Sequence, residues 1–544
     1  MRPHNLHRLR DNAAALTACV FFFLAGLAFL PHLGVEDDES LFAQAIYAPR
    51  GELYSIRIGH SHLPVMLMTY LGALKSWIYR PILQVFGAGI LPVRVPMLLA
   101  GAVSVWLFYL LLRRIAGRRA ALIGCGFLAV DSMYLLTVCF DWGPVALQHL
   151  LLAGGMLLLV RFYQQRGPLA LAGGCFLVGL ALWDKALAIW MLSGMGAALI
   201  LTFPRQILGV ITRRRIGISV AAFALGALPL LVYNAGHRWI TFRGNFRPET
   251  GAITGKARSL ADTAAGNGMF GWLVKDDWQT PQPHQPSGGL QTASANISSL
   301  AGHPRHHLLL CCFALALLLA PLARGNDLRA ILFALIALAV AWFQMAITAN
   351  TGASVHHTIL LWPLPQMVVA IAFASASRRL GRAGIPAVAT VLAVSMASGA
   401  LVINEYYAVM VRNGGGQSWT DAIYALSAQM KNAAAKHVFC MDWGIYDSLR
   451  LLNRGTLPLA NGDEQVSKPE MTPRDREIVM DMISGPANIF IAHTKPYEFF
   501  PGRSAKLAQF ALAAGYRRVD VASISDSNGR QVYEIYRFVG LARE

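Results

Sequence analysis

PVRVPMLLAGAVSVWLFYLLLRRIAGRRAALIGCGFLAVDSMYLLTVCFDWGP, residues 92–144, decides the fold. It holds two apolar runs, 92–112 and 120–138, each as long as the roughly 18–20 residues that cross a hydrocarbon core. A basic turn separates them, with Arg113, Arg114, Arg118 and Arg119, and the second run leads to an acid, Asp141. Two spans joined by a basic turn make a membrane hairpin whose turn faces the cytoplasm.

Working outward, further apolar runs cover 13–31, 143–160, 168–184, 186–203, 216–234, 307–323, 329–348, 357–376 and 384–403. The sequence therefore predicts a polytopic α-helical membrane protein of about eleven spans. Arg2, Arg8 and Arg10 precede the first, Arg161 and Arg166 follow the fourth, and Arg205, Arg213, Arg214 and Arg215 follow the sixth. Arg324 and Arg329 flank the eighth loop, and Arg378, Arg379 and Arg382 follow the tenth. With eleven spans all of these fall on one side, which places the N-terminus in the cytoplasm and the tail outside. The first run lacks a small-residue cleavage site leading into a soluble domain and reads as a retained helix.

Composition agrees. The 544 residues are 55% hydrophobic and only 14% charged, against about 25% charged in soluble domains. The net charge of +18 sits in short clusters between spans, as topology signals do, so nucleic acid is excluded as a partner. Six of the seven cysteines lie in or beside apolar runs and Cys440 lies in a polar region. No metal-type spacing or disulfide framework appears among them.

Three longer segments face outward. In the first, 32–91, the stretch 62–91 is too short and too broken by Lys75, Arg80 and Pro81 to span, and reads as helices lying in the interface. The second is the loop 235–306. The third is the tail from 404, with strand-like runs at 437–441, 488–492 and 518–524, a hairpin through Asn528-Gly529, and amphipathic helices at 421–436 and 503–515. The tail is expected to form a small α/β domain outside the membrane.

The acids and cations at the outer ends of spans are the candidates for chemistry. Glu36-Asp37-Asp38-Glu39 follows the first span and precedes a helical pattern ended by Pro49, with Asp37 placed to cap it. One of these carboxylates could serve as a general base. Asp141 either caps the fourth span, with Pro144 in its first turn, or faces the site; Asp131, inside the third span, reads as a polar group bonded to a neighbouring helix. Asp184-Lys185 makes an outer turn, where it is either a self-neutralising pair or a cation placed to meet a phosphate. Arg94 is an outer-side arginine, either an anchor or a phosphate ligand. His356 and His357 diverge by about 100° on a helix, so they are poor joint metal ligands, though either could touch a phosphate or a sugar. His60 and His62 would make half a metal site only in an extended segment, and Asp276-Asp277 reads as a solvated pair.

The order of these features resembles the GT-C superfamily of membrane glycosyltransferases, nearest to family 39 in the broad sense, the branch of protein O-mannosyltransferases and the lipid A aminoarabinose transferase. The carrying elements are Asp38-Glu39 in VEDDESLFAQAIY, GHSHLPVMLMTYLGALKSW, Arg94-Val95-Pro96, RRIAGRRAA, Asp141, GLALWDKALAIWML with Lys185, and HHTILLWPLPQ. They cover residues 13–403 and leave the tail and the loop 235–306 largely unmatched.

The resemblance implies a polyprenyl-phosphate sugar as donor and an acceptor hydroxyl on a glycan, lipid or protein at the outer face of a bacterial inner membrane, where membrane lipid surrounds the spans. Asp38, with Glu39 and Asp141, would be catalytic, and Lys185, Arg94, His356 and His357 would bind the donor phosphate. A divalent metal ion is compatible with the resemblance, held if at all by Asp38 and Asp141. A transporter or flippase of lipid-linked sugars is the alternative. It would be expected to show internal repeats and charges at the midplane, whereas no repeat is present and these charges lie at span ends.

Overall fold

The computed structural model describes residues 3–48, 51–275 and 280–541, with side chains from residue 12 onward except at Gln417. Pro49 and the Asp276-Asp277 pair lie outside the described residues. Each predicted span has its helix. Five helices are long and apolar enough to cross a membrane: Asn12–Phe29, Ile90–Ile115, Ala146–Gln165, Asn326–Ala346 and Gly381–Asn413. Three bent pairs supply the third, seventh and tenth spans: Arg118–Ala129 with Ser132–Cys139 (60°), Arg213–Gly226 with Leu228–Gly236 (73°), and Val355–Leu361 with Leu364–Arg379 (41°). The shorter apolar helices Pro168–Asp184, Ala188–Thr202 and Leu309–Leu322 take the fifth, sixth and eighth places. The chain is an integral membrane protein.

Small residues let these helices approach closely. At Gly179 a Cβ would stand 2.3 Å from the Phe223 carbonyl, and at Gly226 one would stand 2.2 Å from the Phe176 carbonyl. The fifth and seventh spans therefore touch backbone to backbone. In the third span the bend falls at Asp131. Its Oδ1 accepts from the Tyr134 amide (2.9 Å), and its Oδ2 accepts from Trp362 Nε1 and Gln366 Nε2 (both 2.8 Å). The acid inside the apolar run is thus a buried tie between two broken spans, as its sequence setting suggests.

Two segments differ from the sequence reading. The first outer segment is not wholly helical: β1 (Tyr54–Ile58) and β2 (Ser61–Met66) form an antiparallel hairpin between the short helices Asp37–Ser40 and Gln44–Tyr47 and the helix Leu74–Phe86. Alternation in YSIRIGHSHLPVM fits a hairpin, and Gly59 at φ +60° supplies its turn. The eleventh helix does not stop near 403. It continues through GALVINEYYAVMVRN to Asn413, because the apolar pattern runs on past the bilayer length.

The tail carries one five-stranded sheet, with β3 (His437–Cys440), β4 (Leu459–Asn461), β5 (Asn488–His493), β6 (Tyr516–Ser525) and β7 (Gln531–Gly540) in the order β4-β3-β5-β7-β6. The first three are parallel and β7 joins antiparallel to β5 and β6. Every predicted strand is present, β4 is additional, and helices Tyr446–Leu452 and Pro473–Ser484 join the expected Ala422–Lys431 and Arg503–Ala513.

Candidate active site

The four acids after the first span take four different positions. The short helix Asp37–Ser40 is capped by Glu36, not by the expected Asp37, because Glu39 three residues on closes a capping box. Glu36 Oε2 accepts from the Glu39 amide at 3.1 Å, and Ser418 of the tail donates to Glu36 Oε1 at 3.4 Å. Glu39 is held by Arg94 through a fork, with Nε to Oε1 at 2.6 Å and Nη2 to Oε2 at 2.9 Å. Asp37 faces Asp447 on the tail helix Tyr446–Leu452, which also takes Gln44 Nε2 (2.6 Å) and Arg450 (3.2 Å). Asp38 makes no side-chain hydrogen bond or ion pair among the described residues, and it is only half-buried while its three neighbours are buried.

Arg94 was expected to meet a phosphate. Its guanidinium is 1% exposed and, besides Glu39, donates to the carbonyls of Leu30 (2.6 Å), Leu33 (3.1 Å) and Gly34 (2.6 Å). It also lies over the Phe140 ring. Each of its nitrogens is engaged in fixing the end of the first span. Glu39, expected to be catalytic, is likewise committed to this lock.

Asp141 adopts φ +42°, a conformation Asp tolerates better than most residues. Its Oδ1 accepts from the amides of Val145 and Ala146 at 3.0 Å, so it caps the fourth span, which starts at Ala146, after Pro144. Its Oδ2 pairs with Lys75 Nζ at 2.8 Å. Lys75, 3% exposed, also donates to the Glu39 carbonyl (2.9 Å). Sequence reasoning treated Lys75 only as an interruption, yet a lone lysine in the apolar run LGALKSW was itself the signal.

Lys185 completes the cluster. Its ammonium donates to the Gly143 carbonyl, and a backbone clamp fixes its turn: Gly72 N to Asp184 O (3.0 Å) and Ala186 N to Tyr70 O (2.8 Å). The turn after the hairpin thus helps bring Lys75 and Lys185 together beside Asp38. Burial pushes the Asp38 carboxyl above its ordinary range; the charges of Lys185 and Lys75 pull the other way, and Asp141 adds to the rise. Burial lowers Lys185 to about 8, opposed by Asp38, Asp184 and Asp141. Asp184 Oδ2 and His149 Nε2, both buried nearby in the fifth and fourth spans, find no hydrogen-bond partner among the described residues.

His356 packs on Gly143, its ring 4.5 Å from Trp142 and 4.1 Å from His357, and Ser354 Oγ lies 3.0 Å from its Nδ1 and 3.3 Å from that of His357. The histidines therefore border the Lys185 side of the cluster. His60 and His62 stay on the exposed hairpin, away from it. Among the described residues no three His, Cys, Asp or Glu side chains gather to hold a metal. With one Asp141 oxygen on two amides and the other on Lys75, this donor set does not fit a divalent ion; the lysines supply the positive charge.

An apolar cavity of about 1150 Å³ opens between the spans, lined near this end by Tyr134, His149 and Trp362 and at the far end by Arg114 and Arg215.

Comparisons with known proteins bear on the fold. Residues 73–233 match the family described as dolichyl-phosphate-mannose-protein mannosyltransferase; the match takes in Lys75, Arg94, Asp141 and Lys185 but not Asp38. No curated protein matches the chain. The structure is similar to ArnT from Cupriavidus metallidurans bound to undecaprenyl phosphate, at 14% identity over 96% of this chain and 97% of that one, with a TM-score of 0.55. The apo form of that protein gives 15% identity, 98% of both chains and a TM-score of 0.55. The Archaeoglobus fulgidus oligosaccharyltransferase follows at 12% identity over 95% of this chain and 74% of that one, with a TM-score of 0.51. Up to eight spans, three shorter apolar helices, a C-terminal sheet and these likenesses along nearly all of this chain together show that the chain carries the fold of these membrane proteins, the fold that its resemblance to the GT-C superfamily implies.

Proposed function

We propose that this protein transfers a sugar from a polyprenyl-phosphate donor to an acceptor hydroxyl, with Asp38 as general base. The observation that carries the proposal is the division of labour in the acidic run. Three acids are tied to Arg94, to a helix cap and to the tail, while Asp38 stands unpaired beside two buried lysines. A carboxylate with a raised pKa in such a place is suited to take a proton near neutral pH.

The acceptor oxygen attacks the anomeric carbon while its proton passes to Asp38. The bond from that carbon to the phosphate oxygen breaks, and the electron pair leaves with the polyprenyl phosphate. A single displacement inverts the anomeric centre. Charge grows on the departing phosphate, and Lys185, which keeps two N–H groups beyond its bond to Gly143, is placed to stabilise it. His356 or His357 can add a hydrogen bond on that side. Lys75 neutralises Asp141, and Asp141 in turn holds the fourth span and the Trp142-Gly143 turn in place. Arg94 and Glu39 act as positioning residues for the acidic run. The apolar cavity beside His149 suits the donor's hydrocarbon chain.

The basic turns lie at the opposite ends of the spans, which supports placing the site and the tail outside a bacterial inner membrane. A division into a spanning catalytic part and a tail domain follows from the same layout, with the boundary near Asn413. The test is a transfer assay in nanodiscs with radiolabelled polyprenyl-phosphate sugars and membrane extract as acceptor. Labelled acceptor is expected from wild type and not from Lys185→Ala. Donor binding without transfer, or movement of intact donor across the bilayer, would overturn the proposal in favour of a transporter.

A further inference from the structure

The mechanism leaves unused a run of aromatic rings that starts at the active site and ends in the tail. Trp142, next to Asp141, is 4% exposed, stacks 6.1 Å from Trp272 (29° between planes) and meets the buried Trp419 edge-on at 5.2 Å. Trp272 lies 6.5 Å from Phe499, and Phe499 lies 4.8 Å from Trp443. Trp272 is 36% exposed, and Phe499 and Trp443 are half-buried. The tail thus continues the aromatic wall that begins beside Asp141, with Trp272 its most exposed ring.

Two features show that this wall is built rather than incidental. The turn carrying Trp272 is stitched to the start of the tail by Gly416 N to Leu273 O (2.9 Å) and Lys275 N to Gly414 O (3.1 Å). On the tail side, buried Asp442 accepts from the amides of Trp443 (2.9 Å), Phe499 (2.8 Å) and Phe500 (3.2 Å), and its Oδ2 lies 2.9 Å from His493 Nδ1. A buried carboxylate held by three amides and a histidine is a costly device, and here its effect is to fix two aromatic loops against each other. At the rim, Lys275 lies over Tyr497 and Arg503 over Phe500.

We propose that Trp272, Phe499 and Trp443 form the acceptor subsite, and that its occupant is a sugar ring of a glycan acceptor. The inference rests on the glycosyltransferase reading and deepens it. A pyranose offers an apolar C–H face and a polar edge, which matches flat ring faces flanked by charged groups. A peptide would be better served by a strand edge, and all three residues stand on turns or loops. The run leads back to Trp142 and Asp141, so a ring stacked on Trp272 directs the next hydroxyl toward Asp38.

The experiment measures transfer kinetics in nanodiscs with labelled donor and membrane extract as acceptor, the extract being untreated, protease-digested, or oxidised with periodate and quenched. For wild type, periodate is expected to abolish acceptor capacity and protease to leave it. Trp272→Leu and Phe499→Leu are expected to raise the acceptor KM at least tenfold, with the donor KM unchanged. Trp272→Tyr, which keeps a flat face, should restore most of the loss. Asp442→Asn should raise the acceptor KM without changing kcat at saturation. Capacity destroyed by protease and spared by periodate would assign the shelf to a peptide and overturn the proposal, as would unchanged acceptor KM in both leucine variants. No transfer by wild type from any donor would instead remove the underlying activity, and the shelf with it.

Discussion

In the proposed mechanism, Asp38 and Lys185 set opposite limits on the pH range of activity. Asp38 must be ionised to accept a proton, and burial raises its pKa, so activity climbs as pH rises through that raised value. Lys185 must be charged to meet phosphate, and burial lowers it to about 8, so activity falls as pH passes 8. The kcat/KM profile, which reports the free enzyme, should be bell-shaped with its alkaline limb near 8. Lys185→Arg should move that limb upward while the acid limb stays; a limb that does not move would assign it to another group. Arg94 makes a different prediction. Its removal strands a buried Glu39 carboxylate, which costs about 3–5 kcal/mol. Arg94→Ala should lower the thermal midpoint in detergent, and adding Glu39→Gln should recover part of the loss. Equal melting of wild type and Arg94→Ala would contradict the lock.

At the scale of elements, Asp141 serves two neighbours with its two oxygens. Asn keeps an acceptor for the amides of Val145 and Ala146 and tolerates the same backbone, but it gives up the charge paired with Lys75. Asp141→Asn should therefore cost about 3–5 kcal/mol of stability, because buried Lys75 loses its counter-charge, and should also lower transfer at least tenfold, read from melting and kinetics on one preparation. A large midpoint loss with normal kinetics would make Asp141 a cap alone. The spans were legible because apolar length and arginine turns report each helix separately. The tail strands were legible through alternation in QVYEIYRFV. The hairpin Tyr54–Met66 was masked by the apolar run that follows it, which drew attention to helices. Lys75 was missed for a related reason: a lysine in an apolar run reads as a break until its partner, 66 residues away in Asp141, is seen.

Across the whole molecule, the tail is fastened to the catalytic loop by groups that titrate. Asp37 and Asp447 face each other, and burial, with their mutual repulsion acting on Asp37, raises Asp37 well above its ordinary range; burial raises Asp447 to about 7 against Arg450 and Gln44. A carboxyl whose folded pKa is raised contributes stability at low pH that is lost as pH rises through the folded value. The contact of Tyr446–Leu452 with Asp37–Ser40 should thus weaken as pH passes about 7, seen as faster amide exchange in 446–452. Asp447→Asn should remove that dependence; exchange that stays pH-sensitive would place the titration elsewhere. No sequence pattern announces this pair, because 410 residues separate its members and each is unremarkable in its own segment. The order Asp38, Arg94, Asp141, Lys185 was readable along the chain, but which of four adjacent acids is unpaired depends on Arg94 and on the tail, and only the fold brings those together.

The most direct test of the account is the rate of sugar transfer by Asp38→Asn, measured with donor binding on the same nanodisc preparation. Asn has nearly the same size and cannot accept the proton, so the account predicts donor affinity within about twofold of wild type and transfer reduced by about 10²–10⁴. Transfer at the wild-type rate with donor bound would remove Asp38 as the base and contradict the central claim.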